Sequence, residues 1–159
     1  MAVTFSLTDA CGRSGVAPGY NAVAPMKPSS ETSLRVRYAE TDQMGVVYYA
    51  NYLVWMEVGR VDLCKSRGIN YRDMERDDGI FLAVAEATCR YRYPARFDEE
   101  IVIKTSIEEA GSRMVTFVYE MRAARNGQLL ANGATRHIFL NRDMQVTRLP
   151  KKYLPLFAL

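Results

Sequence analysis

The spacing of apolar positions along the chain changes several times, and each change marks a new element. Leu34-Arg35-Val36-Arg37-Tyr38 alternates apolar and basic residues, which predicts a strand. Glu40 to Val47 is polar, contains Gly45 and reads as a loop. A helix is expected from about Ala50 to Arg67. Its first half, Tyr52-Leu53-Val54-Trp55-Met56, is apolar on nearly all sides; its second half carries Glu57, Arg60, Asp62, Lys65 and Arg67 among Val58, Val61 and Cys64. A helix apolar on most sides at one end is expected to be buried there. Gly68 is a natural stop, and the charged run Asp73 to Asp78 reads as a short turn or helix. After Gly79 the period becomes two. Phe81, Ala83, Ala85, Ala87, Cys89 and Tyr91 fall on one face, with Glu86, Thr88, Arg90 and Arg92 on the other, ending near Pro94. Ile101, Ile103, Thr105 and Ile107 mark the next strand, Ala110-Gly111 a turn, and Val115, Phe117, Tyr119 and Met121 the strand after it. Asn126-Gly127 predicts a type I′ hairpin turn. The last strand is expected from Gln128 to about Asn141, with a short helix or tail from Pro150.

One strand, one long buried helix and four strands joined by tight turns give an α+β class with an antiparallel sheet. About five strands offer one face to one helix, and a helix this apolar requires the sheet to curl around it. That is the hotdog fold: an antiparallel sheet wrapped on a long central helix. Residues 1–32 (rich in Gly, Ser, Ala and Pro, without period) read as a flexible N-terminal extension, and residues 33–159 as a single domain.

Composition narrows the function only slightly. The chain has 159 residues, 48% hydrophobic and 25% charged, as expected of a soluble globular domain. No apolar run reaches the roughly 20 residues of a membrane span. The first residues lack a basic segment ahead of an apolar core, so no secretory signal is expected. Cys11, Cys64 and Cys89 are odd in number and far apart, which argues against a disulfide framework or a zinc knuckle and for a cytoplasmic protein. A net charge of +3 is too small to indicate nucleic acid. His137 is the only histidine and reads as structural. With one histidine and no GxSxG, a Ser-His-Asp hydrolase and a histidine-rich metal site are both excluded.

The chemistry concentrates in Tyr38-Ala39-Glu40-Thr41-Asp42-Gln43-Met44-Gly45-Val46-Val47-Tyr48-Tyr49-Ala50-Asn51-Tyr52. This stretch sets a carboxylate and a glycine in a loop that opens directly into the buried helix. Free N–H groups at a helix N-terminus polarise a thioester carbonyl and hold its oxyanion. A nearby carboxylate attacks that carbonyl or activates water. Gly45 allows close approach of the backbone to a ligand. Asp42 equally suits a turn or helix cap.

The same segment closely resembles the 4-hydroxybenzoyl-CoA thioesterase family, including its Tol-Pal-associated acyl-CoA thioesterases. Asp42, Gly45, Val47, Tyr49, Asn51 and Tyr52 match that motif, and Glu57-Val58-Gly59-Arg60 is similar to its Glu-x-x-Arg. The looser likeness runs from about Leu34 to Tyr153. It implies that Asp42 is the catalytic carboxylate, that the Tyr49 backbone N–H makes the oxyanion contact, and that the protein is a homodimer or homotetramer with active sites at the subunit interface. Many Tol-Pal-associated members carry His where this chain has Tyr49; Tyr is more similar to the aryl-CoA branch. Tyr38, Val47, Tyr48 and Tyr52 are candidate acyl contacts. Ser112 and Arg113 resemble the stretch where the aryl-CoA branch binds the nucleotide. No metal and no cofactor beyond the CoA of the substrate is expected.

The sequence therefore points to hydrolysis of an acyl-CoA thioester, with an acyl-carrier-protein thioester as a second carrier and Asp42 as either nucleophile or general base. Two other functions use the same fold. A non-catalytic acyl-CoA-binding protein would not need the carboxylate, and an enoyl-thioester hydratase or dehydratase would need a histidine that neither loop nor helix supplies. Glu57 is the second candidate carboxylate, although with Arg60 three residues on it reads first as half of a helical ion pair.

Overall fold

The computed structural model describes residues 27–157; most of the N-terminal extension lies outside them. Strand β1 (Ser29–Arg35) leads through a 3-10 turn (Tyr38–Glu40) and a loop into helix α1 (Asn51–Ser66). Helix α2 (Tyr71–Asp78) follows, then β2 (Phe81–Tyr91), β3 (Glu100–Ala110), β4 (Met114–Ala123) and β5 (Leu129–Leu140), and a 3-10 helix over Lys151–Phe157. The strands form one antiparallel sheet in the order β1-β3-β4-β5-β2. The first strand starts at Ser29, paired with Ser106, rather than at the expected boundary of Ser33.

The sheet buries the face that the alternation marked. Ile101, Ile103, Thr105 and Ile107 of β3 and Val115, Phe117, Tyr119 and Met121 of β4 are all buried. Against them α1 lays Tyr52, Trp55, Met56, Gly59, Leu63 and Cys64. The helix sits unusually close. A Cβ on Gly59 would collide with Thr105 Oγ1 and stand 2.9 Å from Ile103 Cγ2 on β3. A Cβ on Gly133 of β5 would meet Met56 and the Thr88 carbonyl. α1 ends in a Schellman motif: Ile69 N–H donates to Cys64 O at 2.8 Å and Gly68 N–H to Lys65 O at 2.9 Å, with Gly68 at φ +81°. The C-terminal segment packs back on the domain, burying Tyr153 and Phe157, while Arg67 donates to the carbonyls of Leu156 and Pro155.

Three local expectations change. The pairing of β2 with β5 shifts between Val84 and Glu86, leaving Ala85 as the extra residue of a bulge. A bulge reverses the alternation, so Leu82 and Val84 face the helix ahead of it, and Ala87, Cys89 and Tyr91 beyond it. The Asn126-Gly127 hairpin forms, but not as a type I′ turn. Gly127 alone has positive φ (+70°), and its N–H donates to Ala123 O at 2.8 Å, making a longer loop. Finally, α1 is enclosed on one side only. Leu53 and Val54 are 39% and 48% exposed, and the facing Val84 of the edge strand β2 is 58% exposed.

Because the helix rests directly on β3 at Gly59, Gly59→Val is expected to destabilise the fold by about 1–3 kcal/mol through overpacking. An unchanged thermal midpoint would show that the helix lifts off the sheet without cost.

Candidate active site

The loop between the 3-10 turn and α1 is organised by a buried carboxylate. Glu40 is only 5% exposed. Its side chain accepts the Arg37 N–H at 2.8 Å, Arg37 Nη2 at 3.1 Å and the Trp55 indole N–H at 3.2 Å. Its main-chain oxygen accepts Tyr48 N–H at 2.9 Å and Asn51 Nδ2 at 2.8 Å. One residue thus joins the start of the loop, the end of the loop and the core side of α1. Burial works to raise the Glu40 pKa, but the Arg37 main chain and guanidinium and the Trp55 N–H outweigh it and hold the carboxyl below its ordinary value.

Asp42 sits on the hairpin that this anchor holds. Thr41 and Val47 pair across it, Asp42 N–H donates to Val46 O at 2.9 Å, and Gly45, at φ +71°, closes the turn onto Asp42 O at 2.9 Å. One carboxylate oxygen, Oδ1, accepts Met44 N–H at 2.8 Å, so part of the capping role is real. The other has no protein partner among the described residues. The carboxylate lies near Tyr48, whose phenol is pushed up first by the adjacent Tyr49 hydroxyl and, less, by slight burial and the Asp42 charge.

The chain then enters α1, where Asn51, Tyr52 and Leu53 N–H donate to the carbonyls of Tyr48, Tyr49 and Ala50. The N–H groups of Tyr49 and Ala50 are left without a protein acceptor among the described residues, at the positive end of the helix dipole. Beside them a cleft of about 270 Å3 is lined by Val47, Tyr49, Tyr52, Tyr91, Tyr93 and Pro94. Tyr91 OH donates to Tyr49 O at 3.1 Å, and Tyr52 OH accepts Ala95 N–H at 3.0 Å, fixing the walls. Two free amides and an aromatic cleft meet at the helix entrance, next along the chain from the hairpin that carries Asp42, an arrangement suited to acyl transfer. A larger hollow of about 920 Å3 lies on the opposite face of the sheet, floored by side chains of mixed charge such as Arg90, Lys104 and Glu120; it lacks such donors.

A family model described as the thioesterase-like superfamily matches residues 36–155. The chain belongs to that superfamily. It is 40% identical over 114 residues to the putative acyl-CoA thioesterase YneP of Bacillus subtilis (strain 168), covering 72% of this chain and 81% of that protein. Among solved structures it resembles the hypothetical protein TT1821 of Thermus thermophilus, with TM-score 0.76 and 38% identity over 82% of this chain and 95% of that one. It also resembles a DHNA-CoA thioesterase of Staphylococcus aureus, with TM-score 0.74 and 34% identity over 80% and 84% of the two chains. The fold of this thioesterase-like chain is the hotdog.

Of the residues read from the sequence, Val47, Tyr49 and Tyr52 line the cleft at the helix entrance, while Asp42 and Gly45 lie on the hairpin that precedes it and Tyr48 joins the two. Val47 and Tyr52 are buried, so they serve as cleft wall and core at once. Tyr38 is 78% exposed and meets Phe97 edge-on at 5.6 Å, away from both core and cleft. Ser112 and Arg113 form the turn between β3 and β4, at the far end of β3 from the loop; eleven residues of strand separate them from it, roughly 30 Å. Within one chain they do not reach Asp42. The Glu57–Arg60 ion pair expected from helical spacing is not formed. Glu57 is exposed, while Arg60 turns inward, donating to Tyr71 OH at 3.1 Å with its guanidinium 5.4 Å from that ring's centre. His137 is fully buried, its Nε2 2.8 Å from Thr135 Oγ1, and burial first and Arg60 second push its pKa down to about 3. It is a neutral core histidine at physiological pH. Glu40 is the residue that sequence reasoning passed over. Its signal was available: a carboxylate three positions after Arg37 and two before Asp42 inside the motif.

A carboxylate whose folded pKa is lowered stabilises the fold above its ordinary value of 4.5, and that stabilisation is lost as pH falls through the lower folded value. Glu40→Gln is therefore expected to cost about 1–3 kcal/mol at pH 7. The deficit relative to wild type should shrink in acid below pH 4.5, as read from urea midpoints at each pH. A deficit that stays constant with pH would refute an ionised Glu40 as the anchor.

Proposed function

We propose that the chain is a thioester hydrolase that cleaves acyl-CoA to free acid and CoA at the α1 entrance. The observation that carries this reading is the pair of unpartnered amides of Tyr49 and Ala50 beside the cleft, with a half-free Asp42 carboxylate on the hairpin that leads into the helix. The thioester carbonyl oxygen takes the Tyr49 N–H, with Ala50 N–H alongside, and gains their full strength as it becomes an oxyanion. Asp42 Oδ2 then acts by one of two routes. As nucleophile it forms the carbon–oxygen bond while the carbon–sulfur bond breaks, giving a mixed anhydride and CoA thiolate, and water hydrolyses the anhydride. As general base it takes a proton from water as that water attacks, and CoA leaves as thiolate. Oδ1, held by Met44 N–H, fixes the carboxylate's orientation in both.

The likeness to the acyl-CoA thioesterase YneP supports CoA as the carrier. The quoted motif supports a place among the 4-hydroxybenzoyl-CoA thioesterases, with Tyr49 main chain serving where the Tol-Pal-associated branch has His. The active protein is a homodimer or homotetramer. Two features support this: an open apolar stripe on α1 (Leu53, Val54, Val58) and the long unpaired edge of β2 beside it. Pairing of two β2 edges covers both and closes the cleft from solvent. None of the helices among the described residues is long and apolar enough to cross a membrane.

Asp42→Asn keeps an oxygen for Met44 N–H but loses the charge. It is expected to retain the wild-type thermal midpoint and to lower kcat by about a hundredfold or more on a panel of short, long and aryl acyl-CoAs, followed by thiol release. Wild-type turnover in this variant would remove Asp42 from the mechanism.

A further inference from the structure

A second cleft, also about 270 Å3, lies further along the seam between α1 and β2. Up the helix from Tyr49 and Tyr52, which stand by Tyr91, the seam passes Leu53 and Val54 opposite Ala87 and Val84. It reaches Arg60, with Thr135 and His137 of β5 as its floor. The side walls are apolar apart from Glu57, and the inner end is polar.

Arg60 is the anomaly there. Its guanidinium is largely enclosed and permanently charged, yet no carboxylate pairs with it among the described residues. Its partners, the Tyr71 hydroxyl and ring, are neutral. The hydroxyl is also shared with Cys64 Sγ at 3.0 Å. The floor beside it is polar and already bonded to itself: Thr135 Oγ1 lies 2.6 Å from Tyr119 OH and 2.8 Å from His137 Nε2. His137 Nδ1 is left buried without a partner. An enclosed cation without a counter-charge is costly to the fold, and Glu57, three residues back on the same cleft, does not supply one. Such a cost is characteristic of a binding site rather than of a core.

The distances set the length of what fits. Arg60 lies nine residues beyond the start of α1, about 13 Å along its axis, and its side chain leans back toward the N-terminus. An extended chain advances roughly 3.5 Å per three bonds, so about eight carbons from a thioester at the helix entrance bring a chain end within reach of the guanidinium. A single aromatic ring ends short of it.

Resting on the thioesterase reading for the position of the thioester, we propose that this cleft receives the far end of the acyl group and that Arg60 selects medium-length chains carrying an oxygen acceptor there, a hydroxyl or a carboxylate. Arg60 is then a specificity-determining residue for the acyl end.

The test compares octanoyl-CoA with its ω-hydroxy and ω-carboxy counterparts. Binding is measured by calorimetry in the turnover-blocked Asp42→Asn protein and in Asp42→Asn/Arg60→Met, alongside kcat/KM in wild type. At least one oxygenated chain is expected to bind about tenfold or more tighter than octanoyl-CoA, with the two arms showing which oxygen is preferred. Arg60→Met is expected to abolish the preference and leave the thermal midpoint unchanged or raised. Equal binding of all three chains overturns the proposal, as does a preference that survives Arg60→Met. So does a fall in thermal midpoint or loss of the oligomer with the preference intact, which would make Arg60 a structural or subunit-contact residue. Equal turnover of all three by wild type would leave the hydrolase standing and sink the Arg60 assignment. An Arg60-dependent binding preference without turnover would do the reverse.

Discussion

The Glu40 carboxylate, buried against the Trp55 indole, holds the site together because it is bonded on three sides at once. Its side chain accepts from Arg37 and from α1, while its carbonyl accepts from Tyr48 and Asn51. Each bond taken singly is worth little net of water. Their value lies in what they make mutually dependent. The hairpin that carries Asp42 cannot shift without breaking the Tyr48 bond, and the helix entrance cannot shift without breaking the Asn51 and Trp55 bonds. A catalytic carboxylate and an oxyanion donor must keep a relative position fixed to a fraction of an ångström. On the proposed mechanism, a short loop would do so for Asp42 and Tyr49 by tying both its ends to one buried group.

The sheet elements legible in the chain were those where one face is fully buried. β3 and β4 alternate cleanly because α1 covers one side of each. β2 alternates as cleanly on paper, yet its phase reverses at Ala85. Nothing in Val84-Ala85-Glu86 distinguishes a bulge from a regular strand, since Ala85 suits either face. The Asn-Gly pair located its hairpin correctly but not its geometry, which depends on how the flanking strands meet. The helix was misread in a different way. Five consecutive apolar residues were read as enclosure by the sheet. Sequence cannot tell which apolar residues a chain buries against itself, and Leu53 and Val54 stay exposed on it.

The candidate site divides similarly. The residues near one another in sequence, from Asp42 to Tyr52, were legible because a loop opening into a helix brings them together by connectivity alone. Ser112 and Arg113 depend on where the β3–β4 turn lies, and one chain puts it at the far end of the sheet. Arg60 was misassigned for a physical reason. The spacing rule pairs it with Glu57 on an exposed helix face, but the helix rotates Arg60 toward Tyr71, where a hydroxyl and an aromatic face compete with the carboxylate.

On the proposed reading, that rotation would give α1 two functions along one seam. Its first turn carries unpaired amides, at the positive end of a dipole, which would face a carbonyl that gains negative charge during reaction. Its third turn places a permanent cation on the second cleft. Between them the wall is Leu53, Val54, Val84 and Ala87, with Glu57 one turn before Arg60. Among the described residues the first end has unpartnered amides and the second a cation without a counter-charge, and both are costs that a purely structural helix would shed by capping or by an apolar replacement. On the acyl-CoA hydrolase reading, those two costs mark the two ends at which the substrate would be held.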